Sequence, residues 1–417
     1  MMIKKDLELY VHIPFCVKKC AYCDFLSAPA DVQERTLYVD ALTEEIRAQK
    51  EDYKSYQVST VFLGGGTPSV LDRSEITRIF RALYESFDVS DSAEISIEVN
   101  PGTVTETKAA AWKKCGVNRI SIGLQSVNDD ELQMLGRIHT YRDFLNTWEI
   151  VRGAGFQNVN IDLISAIPGQ TLKSWCRTLR KAAELGPEHI SAYSLIVEEG
   201  TPFYERYSEE AGCNSETENG QAKAAGGAQA VFPPLPDEDT EREIYKATEQ
   251  LLAGYGYHRY EISNYAKEGY ECRHNLGYWE RKEYLGLGLG ASSLINECRF
   301  HNTADMKKYL EFFGKSGSGR SDLSDEIDCQ TDIREEIEYL TRKDQMEEFM
   351  FLGLRKAEGI SMGEFCAAFG RDIFEVYGTQ IRKMEEQGLL IVQDGRIRLT
   401  ERGTDVSNYV FSEFILE

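Results

Sequence analysis

Over its first half the chain alternates short apolar runs with longer stretches of helical periodicity, and this constrains the fold more than any other feature. The apolar runs fall at Leu7–Ile13, Thr60–Leu63, Ile95–Val99, Arg119–Leu124, Val159–Ile164 and His189–Ile196. Between them the spacing predicts helices over Thr36–Lys50, Arg73–Ser86, Thr105–Cys115, Asp129–Met134, Tyr141–Gly153 and Leu172–Leu185. Strands that alternate with helices pair in parallel, since each helix carries the chain back across the sheet. Six such units build a partial barrel or an open doubly wound sheet.

A length of 417 residues exceeds one ordinary domain and predicts two or three. The composition divides the chain at 1–205, 206–240, 241–335 and 336–417. The second stretch is rich in Gly, Ala, Glu and Pro and reads as a flexible insertion. Glu241–Leu252 resumes as a helix and opens an accessory α+β region. A polar stretch at Gly314–Ile333 separates that region from the tail. The tail predicts helices and then a hairpin turning at Asp394-Gly395, an order that resembles a winged helix.

The formal net charge of −22 repels phosphate backbones and disfavours nucleic-acid binding. The tail alone carries thirteen acidic residues against eight basic ones from 345 to 417, so its hairpin is not expected to read DNA. Mean hydropathy is −0.41, and no run of eighteen apolar residues is present to span a membrane. The opening MMIKKDLELYVHIPF lacks a long apolar stretch, so the expectation is a cytoplasmic protein without a signal peptide.

Ten cysteines in such a chain are expected to be reduced thiols. Cys115, Cys176, Cys213, Cys272, Cys298, Cys329 and Cys366 are scattered and read as small buried hydrophobes. Cys16, Cys20 and Cys23 instead share one loop after the first predicted strand, the edge where chemistry sits in parallel sheets and barrels. Spacings of three and two let one loop wrap a compact inorganic core. Closed iron–sulfur clusters use four thiolates, so three would leave one iron free for a ligand. Three thiolates with His12 also match a tetrahedral zinc site, and unligated structural thiols are a third reading.

Polar groups end the other strands on the same rim. Gly64-Gly65-Gly66-Thr67-Pro68 follows the second, and its glycines let backbone approach a ligand closely, although a tight turn explains them equally. Glu98-Val-Asn100-Pro101 follows the third, where a carboxylate can accept from ribose hydroxyls. Gly123-Leu-Gln125-Ser126 and the run from Asp162 to Gln170 complete the rim.

Taken together, HIPFC within CxxxCxxC, GGGTP, ExNP and PGQT make the chain resemble the radical S-adenosylmethionine family. The resemblance is to the group that contains the oxygen-independent coproporphyrinogen III oxidase and the haem chaperones, and it covers all but the insertion. It implies an α/β fold: a partial (βα)6 barrel, then an accessory α+β region and a C-terminal winged-helix-like domain. It implies that Cys16, Cys20 and Cys23 hold a [4Fe–4S] cluster whose open iron takes S-adenosylmethionine. Gly65, Gly66 and Thr67 match the turn that binds the methionine end. Tyr10, Glu98, Gln125, Arg137 and Asp162 match positions that contact S-adenosylmethionine; by itself Arg137 would read as a surface arginine. The cluster would supply one-electron reductive cleavage of the sulfonium.

Two features choose within the group. The oxidase carries a further cysteine two residues after the third, where this chain has Phe25, and a longer segment before its first strand. His274-Asn275-Leu-Gly-Tyr278-Trp279 matches an HNxxYW motif associated with haem in the chaperone-type members. Imidazole is a common haem ligand and flat aromatics pack on a porphyrin, while without the family such a histidine reads as a core element. The segment from Tyr284 to Ser293 resembles a GxGPGAHS loop, with Leu289 for the proline and Ser292 for the histidine. His139, His189, His258 and His301 read as surface or supporting histidines.

The implied function is a haem chaperone that binds haem as cargo and delivers it to acceptor haemoproteins. The alternative is a coproporphyrinogen III dehydrogenase that decarboxylates two propionates, and a zinc-dependent interaction protein is the third. Implied partners are an electron donor for the cluster and no nucleic acid; a homodimer and peripheral membrane contact are both compatible with the reading.

Overall fold

A computed structural model describes residues 4–208, 232–314 and 333–416. The core of the expected insertion, with Cys213, and most of the Gly314–Ile333 stretch, with Cys329, lie outside the described residues.

Six parallel strands form the frame: β1 (Lys5–Ile13), β2 (Tyr56–Gly65), β3 (Val89–Val99), β4 (Arg119–Gln125), β5 (Asn158–Ser165) and β6 (His189–Ser194). Helices Val32–Ala48, Arg73–Ser86, Glu106–Lys114, Tyr141–Gly153 and Leu172–Glu184 carry the crossovers, with the short Asp129–Met134 ahead of the fourth. Asp31, Thr140 and Thr171 start their helices with reciprocal capping boxes that satisfy otherwise orphaned N–H groups.

The two faces of the strands differ in chemistry. On β1, Leu7, Leu9, Val11 and Ile13 are fully buried in the same apolar cluster as Tyr38, Leu42 and Ile46 of the first helix. The alternate residues Glu8, Tyr10 and His12 face inward, as do Thr60 and Phe62 of β2, Glu94 and Glu98 of β3, and Asn160 and Asp162 of β5. This period of two makes the outer face the hydrophobic core and the inner face a polar lining.

The accessory region is not a separate layer. It extends the same sheet at both edges, giving the order β12-β11-β10-β9-β1-β2-β3-β4-β5-β6-β8-β7. Here β7 is His258–Arg259, β8 Asn264–Ala266, β9 Tyr284–Leu287, β10 Ser292–Ile295, β11 Cys298–Asn302 and β12 Arg334–Tyr339. β9 runs parallel to β1, pairing Tyr10 with Gly286, and the other accessory strands are antiparallel to their neighbours. The expected division between 335 and 336 therefore falls inside β12. Helix Arg273–Trp279 packs across the inner face, where a Cβ on Gly277 would overlap the Glu8 carboxyl.

The tail has its own apolar cluster, built around Met350, Leu354, Phe365, Ile381 and Ile397. Helices Arg342–Gly353, Met362–Phe369 and Ile373–Glu386 lead into strands β14 (Leu390–Gln393) and β15 (Arg396–Leu399), with β13 (Ile360–Ser361) beside β15. Asp394 and Gly395 turn the hairpin with φ of 52° and 75°, as a primed turn requires.

Among the described scattered cysteines, Cys272 and Cys298 are buried as expected. Cys115 and Cys176 are only partly buried and Cys366 is exposed, which corrects the expectation for those three. Cys366 lies on the outer side of its helix, where Phe365 and Phe369 take the core positions. His139 and His189 are core residues, 6% and 0% exposed: His189 bonds Asn160 and Tyr260, and His139 bonds the Leu124 carbonyl.

Candidate functional site

The cysteine loop leaves β1 through Pro14 and is anchored by its backbone. Cys16 N–H donates to Ala28 O, Ala21 N–H to Leu135 O, and Phe203 N–H to Ala21 O. All three thiols are free and half-buried. They are near enough that the charges of Cys20 and Cys16 add to burial in pushing the Cys23 thiol up to about 11. Cys16 Sγ lies 3.4 Å from Thr67 Oγ1, and Arg137 Nη1 donates to Cys20 Sγ at 3.6 Å.

The residues fit an iron–sulfur cubane better than a single ion. A cubane places its thiolates on three different irons, farther apart than ligands of one atom. His12 is turned away from a ligand role, because Nδ1 bonds the Tyr10 hydroxyl at 3.0 Å and Nε2 the Leu26 carbonyl at 2.9 Å. A guanidinium touching one thiol and a hydroxyl touching another suit a thiolate-bound, electron-rich cluster.

The rim glycines have local reasons. Gly65 adopts φ 107°, and a Cβ on Gly66 would sit 2.7 Å from the Phe15 carbonyl oxygen. The turn thus presses against the cysteine loop at a distance only glycine allows. Gly65 N–H donates to Glu98 Oε2 at 3.1 Å. Burial, with the like charge of Asp162 behind it, pushes the Glu98 carboxyl up to about 8. Asp162 is held by Ser121 and Asn160 at 2.8 and 2.7 Å, and its burial also raises it. Gln125 ends β4 at φ 68°, where the register with β5 slips. Such a bulge re-aims a side chain at the strand end.

Arg137 is tied into this rim rather than lying on the surface. Its Nη2 donates to Asn100 Oδ1 at 2.6 Å and Gly123 O at 2.7 Å, while Nε has no partner. Asn100 Nδ2 in turn donates to Thr67 Oγ1 at 2.6 Å. Asn100 therefore joins the two strand ends that flank Cys16 and Cys20, a role not assigned from sequence, although the residue stands within the ExNP motif.

A cavity of about 630 Å³ opens beside this rim, a volume suited to a mid-sized organic ligand. Tyr10, Gly65 and Glu98 line it from the barrel, and Phe25 from the cysteine loop. The accessory region contributes Tyr278 and Trp279 to the opposite wall. His274 is not part of that lining. It is 2% exposed, with Nδ1 bonded to Thr60 Oγ1 at 2.7 Å and Nε2 to the Tyr278 hydroxyl at 3.0 Å. Its ring stacks on Phe62 at 5.1 Å. Helical geometry explains this: His274 and Tyr278, four residues apart, share one face, with the histidine a turn deeper. Asn275 is half-buried on the same helix. Burial drives the His274 pKa down to about 3 and that of Glu8, 3.8 Å from Nδ1, up to about 9, so the two meet as neutral groups.

In the loop from Tyr284 to Ser293, Gly288 N–H donates to buried Glu45 and Leu289 N–H to the Tyr38 hydroxyl, so its backbone is structural. Ser292 lines the cavity, as do Arg281 and Arg299, which no sequence motif marked.

Comparison with known proteins agrees with this geometry. Residues 10–182 match the radical SAM superfamily, and residues 340–406 the HemN C-terminal domain, which begins where β12 ends. The chain is 34% identical to the Heme chaperone HemW of Lactococcus lactis subsp. lactis (strain IL1403), covering 100% of this chain and 99% of the relative. It is 37% identical to that of Escherichia coli (strain K12), covering 99% and 98%. The solved coproporphyrinogen III oxidase (HemN) of Escherichia coli, described as a radical SAM enzyme, superposes with a TM-score of 0.78 at 25% identity, covering 99% of this chain and 90% of that one. The chain belongs to the radical SAM superfamily, within the family of proteins named Heme chaperone HemW.

Proposed function

We propose that this protein is a cytoplasmic haem chaperone that binds haem in the cavity beside the cysteine loop and delivers it to acceptor haemoproteins. The observation that carries this is the cavity itself, walled by flat aromatic side chains and adjoining the rim where strands end in polar groups. The Lactococcus lactis and Escherichia coli relatives, each matched over at least 98% of both chains, carry the chaperone name. Cys16, Cys20 and Cys23 hold a [4Fe–4S] cluster. Gly65, Gly66, Thr67, Glu98, Gln125, Arg137 and Asp162, with Tyr10, hold S-adenosylmethionine. The cluster, when bound, supplies one-electron reducing chemistry drawn from an electron donor. The protein's own part is to order the loop, keep Arg137 against Cys20, and close the floor with the His274–Tyr278 pair. Tyr278 and Trp279 pack on the macrocycle, and His274 orients Tyr278 from behind rather than binding iron.

The second reading, coproporphyrinogen III dehydrogenase, is favoured by the superposition on the oxidase. Against it, the position of the oxidase's extra cysteine is filled by Phe25, whose exposed ring faces the cavity. The test is an anaerobic haem titration followed by transfer to an apo-haemoprotein, with an assay for protoporphyrinogen run in parallel. Stoichiometric haem binding and transfer are expected. Formation of protoporphyrinogen without haem transfer would move the assignment to the dehydrogenase.

A further inference from the structure

We propose that Arg281 and Arg299 form a carboxylate-binding corner of the cavity, and that Glu348 occupies this corner until a ligand carboxylate displaces it. The inference rests on the haem-cargo reading and specifies how the cargo is recognised.

Arg281 leaves only 9% of its side chain exposed and lines the cavity. Its Nε donates to Glu348 Oε2 at 2.8 Å, and Arg299 Nη2 donates to Glu348 Oε1 at 2.6 Å. One carboxylate thus bridges two guanidinium groups, one oxygen to each. The outer sides of the arginines meet Glu297, at 2.6 Å from Arg281, and Glu338, at 3.9 Å from Arg299. Glu297 is about half exposed and Glu338 more so, which leaves Glu348 as the buried counter-charge.

The chemistry of the lining points the same way. Arg281 and Arg299 share the cavity wall with Tyr10, Tyr278, Trp279 and Tyr284, so two guanidinium groups make one cationic corner in a largely aromatic chamber. A flat apolar ligand with a carboxylate arm fits that polarity, and the propionates of haem supply the arm.

Glu348 sits on helix Arg342–Gly353 of the C-terminal domain, and Leu352 of that helix also lines the cavity. Such an ion triad adds little stability over apolar packing, so exchanging its counter-charge costs the fold little. Replacing the Glu348 carboxylate by a propionate conserves charge in the corner while releasing the C-terminal helix from the sheet.

The test titrates the anaerobically loaded full chain with haem and with haem dimethyl ester, whose propionates are masked. The wild type is expected to bind haem at least about tenfold more tightly than the ester. Arg299→Met, at a half-exposed position that tolerates change, should weaken haem about tenfold and leave the ester unchanged. Glu348→Gln should tighten haem severalfold, whereas a purely structural glutamate would weaken it or leave it alone. Equal binding of haem and ester by the wild type overturns the corner while leaving the haem reading intact. Weaker or unchanged haem binding by Glu348→Gln overturns the displacement. Failure of the wild type to bind haem removes both the cargo reading and this inference.

Discussion

The cysteine loop and the helix Arg273–Trp279 both carry a motif, both border the same cavity, and differ in how their polar atoms are satisfied. In the loop, the three half-buried thiols stand outside any disulfide, touched at 3.4 and 3.6 Å by Thr67 and Arg137, and Arg137 keeps an unpaired Nε. In the helix, both nitrogens of His274 are bonded and its ring is stacked and buried. Groups kept for a ligand are left under-coordinated by the protein, because each bond to protein must be broken before the ligand binds. Groups that shape the site are saturated, because an unpaired buried polar atom is costly. A shared motif status conceals these opposite roles.

The largest effect that can break this comparison lies in the loop. Replacing Cys16, Cys20 or Cys23 with Ala should abolish iron and labile sulfide incorporation while circular dichroism stays native. A variant that keeps its full iron content would place the cluster elsewhere.

Glu8→Gln probes the helix side through pH. The folded carboxyl, at about 9, lies above its ordinary value of 4.5, mainly because burial disfavours the charge. The folded state therefore binds the proton more tightly than the unfolded chain between these values. Stability contributed by this group is complete below about pH 4.5 and is lost as pH rises towards 9, by up to about 1.4 kcal/mol per pH unit. Glu8→Gln should be more stable than wild type at pH 8 by a few kcal/mol and nearly equal at pH 5. Chemical denaturation at the two pH values measures this, and a pH-independent difference would show that Glu8 is charged in the fold.

His274→Ala should lower stability by about 2–3 kcal/mol, since it opens a hole and strips Thr60 and Tyr278 of a partner. Iron content should not change, and a bound haem should keep its axial-ligand spectrum. Loss of that spectrum at unchanged stability would restore His274 as an iron ligand. The smallest effect is the coupling of Thr60 to His274. A double-mutant cycle with Thr60→Val should give about 1 kcal/mol, and additivity within error would mean that the 2.7 Å contact does not fix the ring.

Much of the frame was legible because its signals are local. The apolar runs predicted the six parallel strands, and helices Arg73–Ser86, Asp129–Met134 and Tyr141–Gly153 have the bounds that periodicity predicts. The Asp394-Gly395 hairpin was legible because a primed turn demands those residues. The cysteine triplet was legible because one loop supplies all three thiols. Arg137 was not legible from residue type alone, since its partners Cys20, Asn100 and Gly123 come from other elements. Exposure of Cys366 was missed because a thiol carries little amphipathic signal of its own.

By itself, the sequence determined the strand–helix alternation, the loop that gathers Cys16, Cys20 and Cys23, and the glycine turn pressed against it. Each depends on residues close in the chain, where periodicity, turn chemistry and spacing act directly. Only the tertiary structure decided that β9 would join β1 across more than 270 residues, that His274 would face Thr60 rather than the cavity, and that Glu348 would bridge Arg281 to Arg299. Those pairings depend on which surfaces remain to be buried once the six-stranded frame has formed, and no local pattern carries that information.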